Sequence, residues 1–199
     1  MGLLATPLRA VMAGLILTAI ILGIWMAYIG VDRIGLVSFL LRWVHVLASI
    51  VWLGQVFFIN FVQIVALKEL DEAGRAGVMK SVVPRVATLF RHASHLTLVS
   101  GILLLITTGY LFDRWMFTSA VYVPPLRNLL LWGGTLGGLV MWAFAHFVVW
   151  PNLQVVLGLT PGDDVAKAAA RARIEIFARL NLVLSLPVTF VMVAASHLY

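Results

Sequence analysis

Four histidines of the chain lie near the ends of hydrophobic segments, where ionisable side chains are rare. They are His45, His95, His146 and His197, and a fifth, His92, precedes His95 by about one helical turn. An ionisable side chain inside a bilayer costs about 2.5–3.5 kcal/mol, so it usually has a partner or a function. Neutral imidazole is also a common protein ligand of haem iron. The histidines are therefore the candidate ligands of a metal centre.

The composition is that of a membrane protein. Of the 199 residues, 62% are hydrophobic and 11% are charged, and the mean hydropathy is +1.05, whereas about a quarter of the residues in a soluble domain are charged. The chain has no cysteine, which excludes disulfides, iron–sulfur clusters and a covalently attached c-type haem. The net charge of +6 comes from basic residues between apolar segments and does not indicate nucleic-acid binding.

Five segments are long enough to cross a hydrocarbon core of about 30 Å, which needs about 20 apolar residues. We therefore predict an all-α polytopic membrane helix bundle of five transmembrane helices, with a four-helix core and a peripheral first helix. Residues 1–199 are predicted to form a single transmembrane domain. The segment Glu69–Lys80 is expected to continue the second helix into water. The predicted spans are 8–29, 37–67, 86–111, 128–150 and 174–197.

Basic residues are distributed unevenly between the two sides of these spans. Ten lysines and arginines fall on one side, and four fall on the other. The positive-inside rule assigns the richer side to the cytoplasm. We therefore expect a bacterial inner-membrane protein with a cytoplasmic N-terminus and a periplasmic C-terminus. The poorer side carries Arg33, Arg42, Arg114 and Arg127.

Distances along the helices from the flanking charges sort the histidines into two levels, since an α-helix rises about 1.5 Å per residue. His45 and His197 fall at the outer level. His95, or alternatively His92, falls with His146 at the inner level. Two imidazoles at one height on different helices are positioned to ligate one haem iron from both sides. The spacing therefore predicts one pair of axial ligands near each face of the membrane.

Two arginines lie close to these levels. Arg42 is near the outer pair and Arg91 is near the inner pair, and a guanidinium matches the carboxylate of a haem propionate. The pattern is similar to that of a transmembrane b-type cytochrome, so we expect haem b in one or two copies. Each histidine alone also fits a simpler interpretation, either as an interfacial side chain or as a hydrogen-bonding partner of a neighbouring helix.

Other polar and small residues inside the spans predict helix packing. Gly133-Gly134 and Gly137-Gly138 form two overlapping small-xxx-small pairs, which favour close packing and alternatively leave room for a flat macrocycle. Gln55 either hydrogen bonds to a neighbouring helix or faces a bound quinone. Interhelical hydrogen bonds are expected from Gln55, Asn60, Gln63, Asn181 and Ser185.

Two spans resemble the membrane domain of bacterial urate oxidases. Residues 41–58 (LRWVHVLASIVWLGQVFF) are similar to a signature helix of that domain, and residues 178–199 are similar to its closing segment. The closing segment shares Arg179-Leu-Asn181, Leu186-Pro-Val188, Phe190-Val-Met192 and the terminal Ser196-His-Leu-Tyr199. The resemblance implies a helical electron-transfer domain in which His45 and His197 occupy family-matching positions. A more distant likeness is to the membrane proteins that oxidise protoporphyrinogen and to copper-resistance membrane proteins.

Together these features predict a membrane-bound b-type cytochrome that transfers electrons between quinone, or a partner oxidoreductase, and a cytochrome c. Three alternatives remain open. They are an enzyme of the urate-oxidase or protoporphyrinogen-oxidase kind, a copper or metal transporter, and a structural subunit of a larger respiratory or photosynthetic complex. The sequence contains no phosphate-binding loop, dinucleotide-binding glycine motif or His-Glu-x-x-His zinc motif.

Overall fold

A computed structural model describes residues 5–29, 33–110 and 125–197 of the chain. Within them, all the regular elements are helical, and five helical stretches are long and apolar enough to span a membrane. The all-α fold with five spans is therefore confirmed. Arg114, the predicted end of the third span at Leu111, and the terminal Leu198 and Tyr199 lie outside the described residues. The five spans are Pro7–Tyr28, Gly35–Glu69, Glu72–Thr107, Leu126–Val156 and Asp164–His197.

Two of the spans contain a short π-helical segment between α-helical parts. The segment π1 (Ile59–Gln63) joins α2 to α3, and π2 (Phe144–Val149) joins α6 to α7. The α-helices are α1 (Pro7–Ile29), α2 (Arg33–Phe58), α3 (Ile64–Glu69), α4 (Glu72–Ser81), α5 (Val83–Thr107), α6 (Pro125–Ala143), α7 (Trp150–Val156) and α8 (Asp164–His197).

The contacts divide the chain into two compact units, Met1–Phe39 and Leu40–Tyr199. In the first unit, no described residue of α1 is buried, and the rings of Trp25 and Phe39 lie 5.4 Å apart. The second unit contains the remainder of α2 and all the later helices, and it holds every histidine of the chain.

The second span does not continue into water as predicted, because the helix ends at Glu69. Leu70 has extended backbone angles (φ −71°, ψ 145°), and a new helix, α4, starts at Glu72. Asp71 caps α4, since its Oδ1 accepts a hydrogen bond of 2.8 Å from the backbone N–H of Gly74. Such a cap satisfies one of the first free N–H groups of a helix and favours a new start over continuation.

The last helix starts ten residues before the predicted span, at Asp164 instead of position 174. The added segment (DVAKAAARAR) is rich in alanine, arginine and lysine, which are strong helix formers. A hydropathy pattern does not detect such a segment because it is polar. Asp163 precedes the helix, and its Oδ1 accepts a hydrogen bond of 2.7 Å from the N–H of Ala166.

The core of the second unit lies between α2, α5 and the junction of α6 with π2. It consists of Trp52, Val56, Phe90, Ala93, Met141 and Ala145, and three side chains of α8 pack against it. Trp52 meets Phe90 edge-on at 6.4 Å between ring centres. Because lipid is as apolar as this core, the helices associate through close packing at small residues such as Ala93 and Ala145.

Close packing of α6 on α8 explains two of the four glycines of the fourth span. A Cβ atom at Gly134 would lie 2.9 Å from Met192 Cγ, and a Cβ atom at Gly137 would overlap Val188. Positions 133 and 138 face open space instead. The packing interpretation is therefore confirmed, although α8 contacts one glycine from each predicted pair.

Candidate functional site

All five histidines place Nδ1 within hydrogen-bonding distance of a backbone carbonyl oxygen. A carbonyl oxygen only accepts hydrogen bonds, so in the neutral form of each ring Nδ1 carries the hydrogen and Nε2 has the lone pair. This is the tautomer that a histidine needs in order to bind a metal through Nε2. In four of the rings the acceptor is the carbonyl four residues earlier on the same helical stretch. Only His45 reaches another helix, at the carbonyl of Thr97.

His95 of α5 and His146 of π2 meet across the helix interface. Their ring centres are 4.2 Å apart, and the ring planes are inclined by 80°. Trp142 completes the cluster: it stacks on His146 at 4.7 Å and lies 5.8 Å from His95. His146 Nε2 is buried and has no hydrogen-bond partner among the described residues. The structure thus brings together the two histidines that were assigned to the inner level.

The π-helical turn that carries His146 has a local cause in the sequence. Pro151 follows it and has no backbone N–H, so regular α-helical bonding cannot pass through this position. The bonding pattern widens over the six residues Phe144–Val149. Segments of this type are rare and are often found at functional sites.

The outer pair, His45 and His197, has a different arrangement. The structure describes both residues and gives no ring contact between them. His45 packs against α5, where its Nδ1 donates to Thr97 O at 2.9 Å and its Cε1 lies 2.9 Å from where a Cβ of Gly101 would be. His197 is exposed at the end of α8. Shared ligation by His45 and His197 stays a prediction.

His92 is an exposed neighbour of the inner pair. It lies three residues before His95 on α5, and its Nδ1 donates to Thr88 O at 2.7 Å. His95 makes the cross-helix ring contacts with His146 and Trp142, and no such contact is described for His92. Of the two alternatives for the inner level, His95 is therefore the better placed.

The two arginines proposed as propionate partners differ in their surroundings. Arg42 is exposed on α2. Arg91 is half-buried on α5, with its guanidinium carbon 4.1 Å from the ring centre of Trp150. Its Nε is buried without a hydrogen-bond partner among the described residues. Arg91 is also tied to the inner pair, since His95 Nδ1 donates to its carbonyl at 2.7 Å.

A cleft of about 80 Å³ lies beside this pair, and four of the five spans line it. Its walls are mainly apolar, but they include Asn60, Gln63, Arg91 and Asn181. Asn60 of π1 donates through Nδ2 to Val56 O at 2.8 Å and to Ala178 O of α8 at 3.1 Å, which confirms its predicted interhelical hydrogen bond. The bond to Val56 occupies a carbonyl of the preceding helical turn and helps to explain the π-helical segment.

Each of these amide residues was predictable from the sequence as a polar side chain inside a span, but their shared cleft was not. In the sequence, these residues stand out because each places an amide side chain inside an apolar span. Asn60 Oδ1, Gln63 Oε1 and Asn181 Oδ1 are all buried without a hydrogen-bond donor among the described residues. A buried acceptor without a partner costs about 1–3 kcal/mol, so these three atoms are candidate contacts for water or for a ligand.

Within the described residues, no group of three or more His, Cys, Asp or Glu side chains could hold a metal ion. A metal at the inner pair would therefore receive two protein ligands, which is the number that a haem iron takes from a protein when both axial positions are filled.

Part of the chain matches a known family model. Residues 39–124 match a family described as predicted integral membrane protein (DUF2269). The matched range includes His45, His92 and His95, and it ends before His146. No curated protein and no solved structure matches the chain. With its five apolar spans, the chain is an integral membrane protein, and no match links it to urate oxidases.

Proposed function

We propose that this membrane protein binds haem b between His95 and His146 and transfers electrons, with quinone or a cytochrome c as its redox partner. The contact between these two imidazoles, which come from different spans, carries the proposal. Both rings have Nδ1–H bound to a backbone carbonyl, which orients the ring and leaves Nε2 for iron. The chemistry that haem supplies when bound is a one-electron change at its iron.

The two imidazoles are donors of the type that haem iron binds, but their present spacing is shorter than the bound spacing would be. Metal–imidazole bonds of about 2 Å on opposite sides of an iron put the ring centres about 6 Å apart. The observed 4.2 Å therefore has to increase by about 2 Å. His95 is exposed, so moving its ring away from His146 does not displace the core, but the movement alters its present Nδ1 bond to Arg91 O. Val99 and Phe147, which are exposed on α5 and π2, offer apolar surface for a macrocycle.

Arg91 would bind a haem propionate in this arrangement. Its carbonyl already accepts a hydrogen bond from His95, and its guanidinium is held over Trp150. We also propose the orientation that follows from the lysine and arginine distribution, with the N-terminus in the cytoplasm and the C-terminus in the periplasm of a bacterial inner membrane.

The test is haem stoichiometry by pyridine haemochrome assay and absorption spectroscopy after gentle purification from a haem-supplied host. We expect a low-spin b-type spectrum, which His146→Ala and His95→Ala each remove. His92→Ala is the matched control, because His92 is on the same helix and makes the same kind of Nδ1 bond without the cross-helix ring contact. A folded but colourless wild-type protein, or equal haem loss from His92→Ala, would overturn the proposal.

A second candidate is a single transition-metal ion bound by the same two rings. The short distance and steep angle favour it, since two imidazoles at neighbouring positions of one metal have ring centres about 5 Å apart. Copper and zinc both accept imidazole ligands. Stoichiometric copper or zinc by mass spectrometry, without a Soret band and lost in His146→Ala, would favour the ion over haem and support the metal-transporter alternative.

A further inference from the structure

The cleft beside the histidine pair contains an unusual set of free polar atoms. Asn60 is 1% exposed and Asn181 is 3% exposed, and both line the cleft. Their Oδ1 atoms, together with Gln63 Oε1, have lone pairs but no donor among the described residues. Arg91 Nε lines the same cleft and has a hydrogen but no acceptor there. The residues that line the cleft therefore include one acceptor without a donor, Asn60 Oδ1, one donor without an acceptor, Arg91 Nε, and two further amides, Gln63 and Asn181, each with a buried unpaired atom.

The amide assignment of Asn60 is fixed by its surroundings. Its Nδ2 donates to two carbonyl oxygens, Val56 O and Ala178 O, so the remaining atom of the amide must be the oxygen. That oxygen can only accept a hydrogen bond. A ligand that satisfies both buried atoms must consequently donate a hydrogen bond to Asn60 and accept one from Arg91.

The charge of the cleft limits the ligand further. The guanidinium of Arg91 opposes a cation, and Asn60 Oδ1 needs a hydrogen-bond donor, which a carboxylate lacks. The apolar part of the wall, which includes Ile59, Val86 and Phe90, suits a hydrophobic molecule. A neutral, lipid-soluble compound with a hydroxyl group meets all of these conditions, because a hydroxyl both donates and accepts.

We propose that the cleft binds the hydroxyl-bearing edge of a hydroquinone headgroup. This inference rests on the proposed electron-transfer function, for which a hydroquinone is the membrane-soluble partner. The volume of about 80 Å³ accommodates part of one ring and is far smaller than a macrocycle requires. The cleft also adjoins the histidine pair, since Arg91 lines it and accepts from His95, and Ala145 lines it and precedes His146.

The experiment measures binding of trimethylhydroquinone to the purified full chain in nanodiscs by anaerobic calorimetry, with empty nanodiscs subtracted. The dimethyl ether of the same compound has the ring but cannot donate a hydrogen bond, so we expect it not to bind. Gln63→Met removes one acceptor at similar volume and should weaken binding about fivefold. Asn181→Leu should weaken it by a similar factor.

Gln55→Met is the matched control for Gln63→Met. Gln55 is on the same span and its Oε1 is also buried without a donor among the described residues, but it does not line the cleft. We expect this variant to bind within about twofold of the wild type. Equal binding of hydroquinone and ether, equal effects of the two glutamine variants, or no binding above empty nanodiscs would overturn the inference, the last result indicating a cleft filled by water only.

Haem content measured on the same samples separates this inference from the proposed function. Bound haem without hydroquinone binding refutes the cleft ligand alone. Hydroquinone binding with the expected response to Gln63→Met, in protein that never binds haem, refutes the haem proposal and supports the cleft ligand.

Discussion

The His95–His146 pair and His45 show how the same residue type acquires different surroundings in one bundle. In the pair, two imidazoles from different spans face each other at 4.2 Å. At His45, the ring instead lies against the backbone of α5, where it donates to Thr97 O and occupies the space above Gly101. All three rings bond through Nδ1 to a carbonyl oxygen, but among the described residues only the His95–His146 region brings two imidazoles into contact.

Depth along the membrane normal is one of two coordinates that decide whether side chains of neighbouring helices meet. Distances from flanking charges estimate depth, and they placed His45 with His197 and His95 with His146 equally well. The second coordinate is the direction in which each side chain leaves its helix, and neighbouring residues differ in it by about 100°. Helix packing sets this direction, and only the structure describes that packing.

The haem content of the purified protein should depend strongly on the His95–His146 pair and not on the outer histidines. His146→Ala should lose the haem completely, whereas His197→Ala should keep it, because His197 is exposed and its ring contacts neither member of the inner pair in the described structure. The measurement is haem per protein with the spectrum of the remaining haem. Equal loss from both variants would contradict the comparison, and loss of half the haem from His45→Ala and from His197→Ala alike would reveal a second haem between them.

The five spans could be predicted from the sequence because hydropathy and length determine membrane insertion directly. The close packing of α6 on α8 was also predictable, since Gly134 and Gly137 have few other uses inside a span. The break at Leu70 was not, because it depends on the capping hydrogen bond of Asp71 within a segment whose composition is helical. The first ten residues of α8 were missed because helix propensity, and not hydropathy, forms them.

A second prediction concerns the close contact between the His45 ring and Gly101 of α5. Gly101→Ala places a Cβ 2.9 Å from His45 Cε1, so the ring must move and its hydrogen bond to Thr97 is weakened. We expect a loss of about 1–3 kcal/mol in the free energy of unfolding, measured by denaturant titration in mixed micelles. In the His45→Ala background the same change should cost nothing.

Gly54→Ala is the control for measuring Gly101→Ala with and without His45. No atom lies within 4 Å of a Cβ at position 54, so this variant reports the helix-propensity gain of alanine over glycine alone. Destabilisation by Gly101→Ala that persists without His45 would mean that the ring is not held by this contact.

The candidate site was only partly predictable. Depth and residue type identified His95, His146 and Arg91, and the amides Asn60, Gln63 and Asn181 were recognised as polar residues inside spans. Asn60 and Gln63 lie within π1 and His146 lies within π2, so the two π-helical segments affect where these side chains point, whereas Asn181 lies on the α-helix α8. Pro151 is a visible cause of the second segment. The first depends on the Asn60 side chain bonding to Val56 O, which competes with the backbone and has no unique sequence pattern.

The smallest expected effect concerns Trp150, which connects the cleft to the histidine pair through Arg91. Trp150→Leu removes the ring that lies 4.1 Å from the guanidinium carbon, and a cation–π contact of this kind contributes about 0.5–1 kcal/mol. We expect a loss of that size in the free energy of unfolding. Trp150→Phe should recover part of it, because phenylalanine keeps a ring face at the same position.

The coupling to Arg91 distinguishes this contact from simple loss of apolar surface. In the Arg91→Met background, the free energies of unfolding of Trp150→Leu and Trp150→Phe should differ less than they do when Arg91 is present. The reason is that no cation remains to interact more strongly with an aromatic ring than with an aliphatic side chain. An unchanged difference would show that Trp150 acts through packing alone. Arg91 would then be free to leave the cleft, and the link between the amide cluster and the His95–His146 pair would lose its fixed cation.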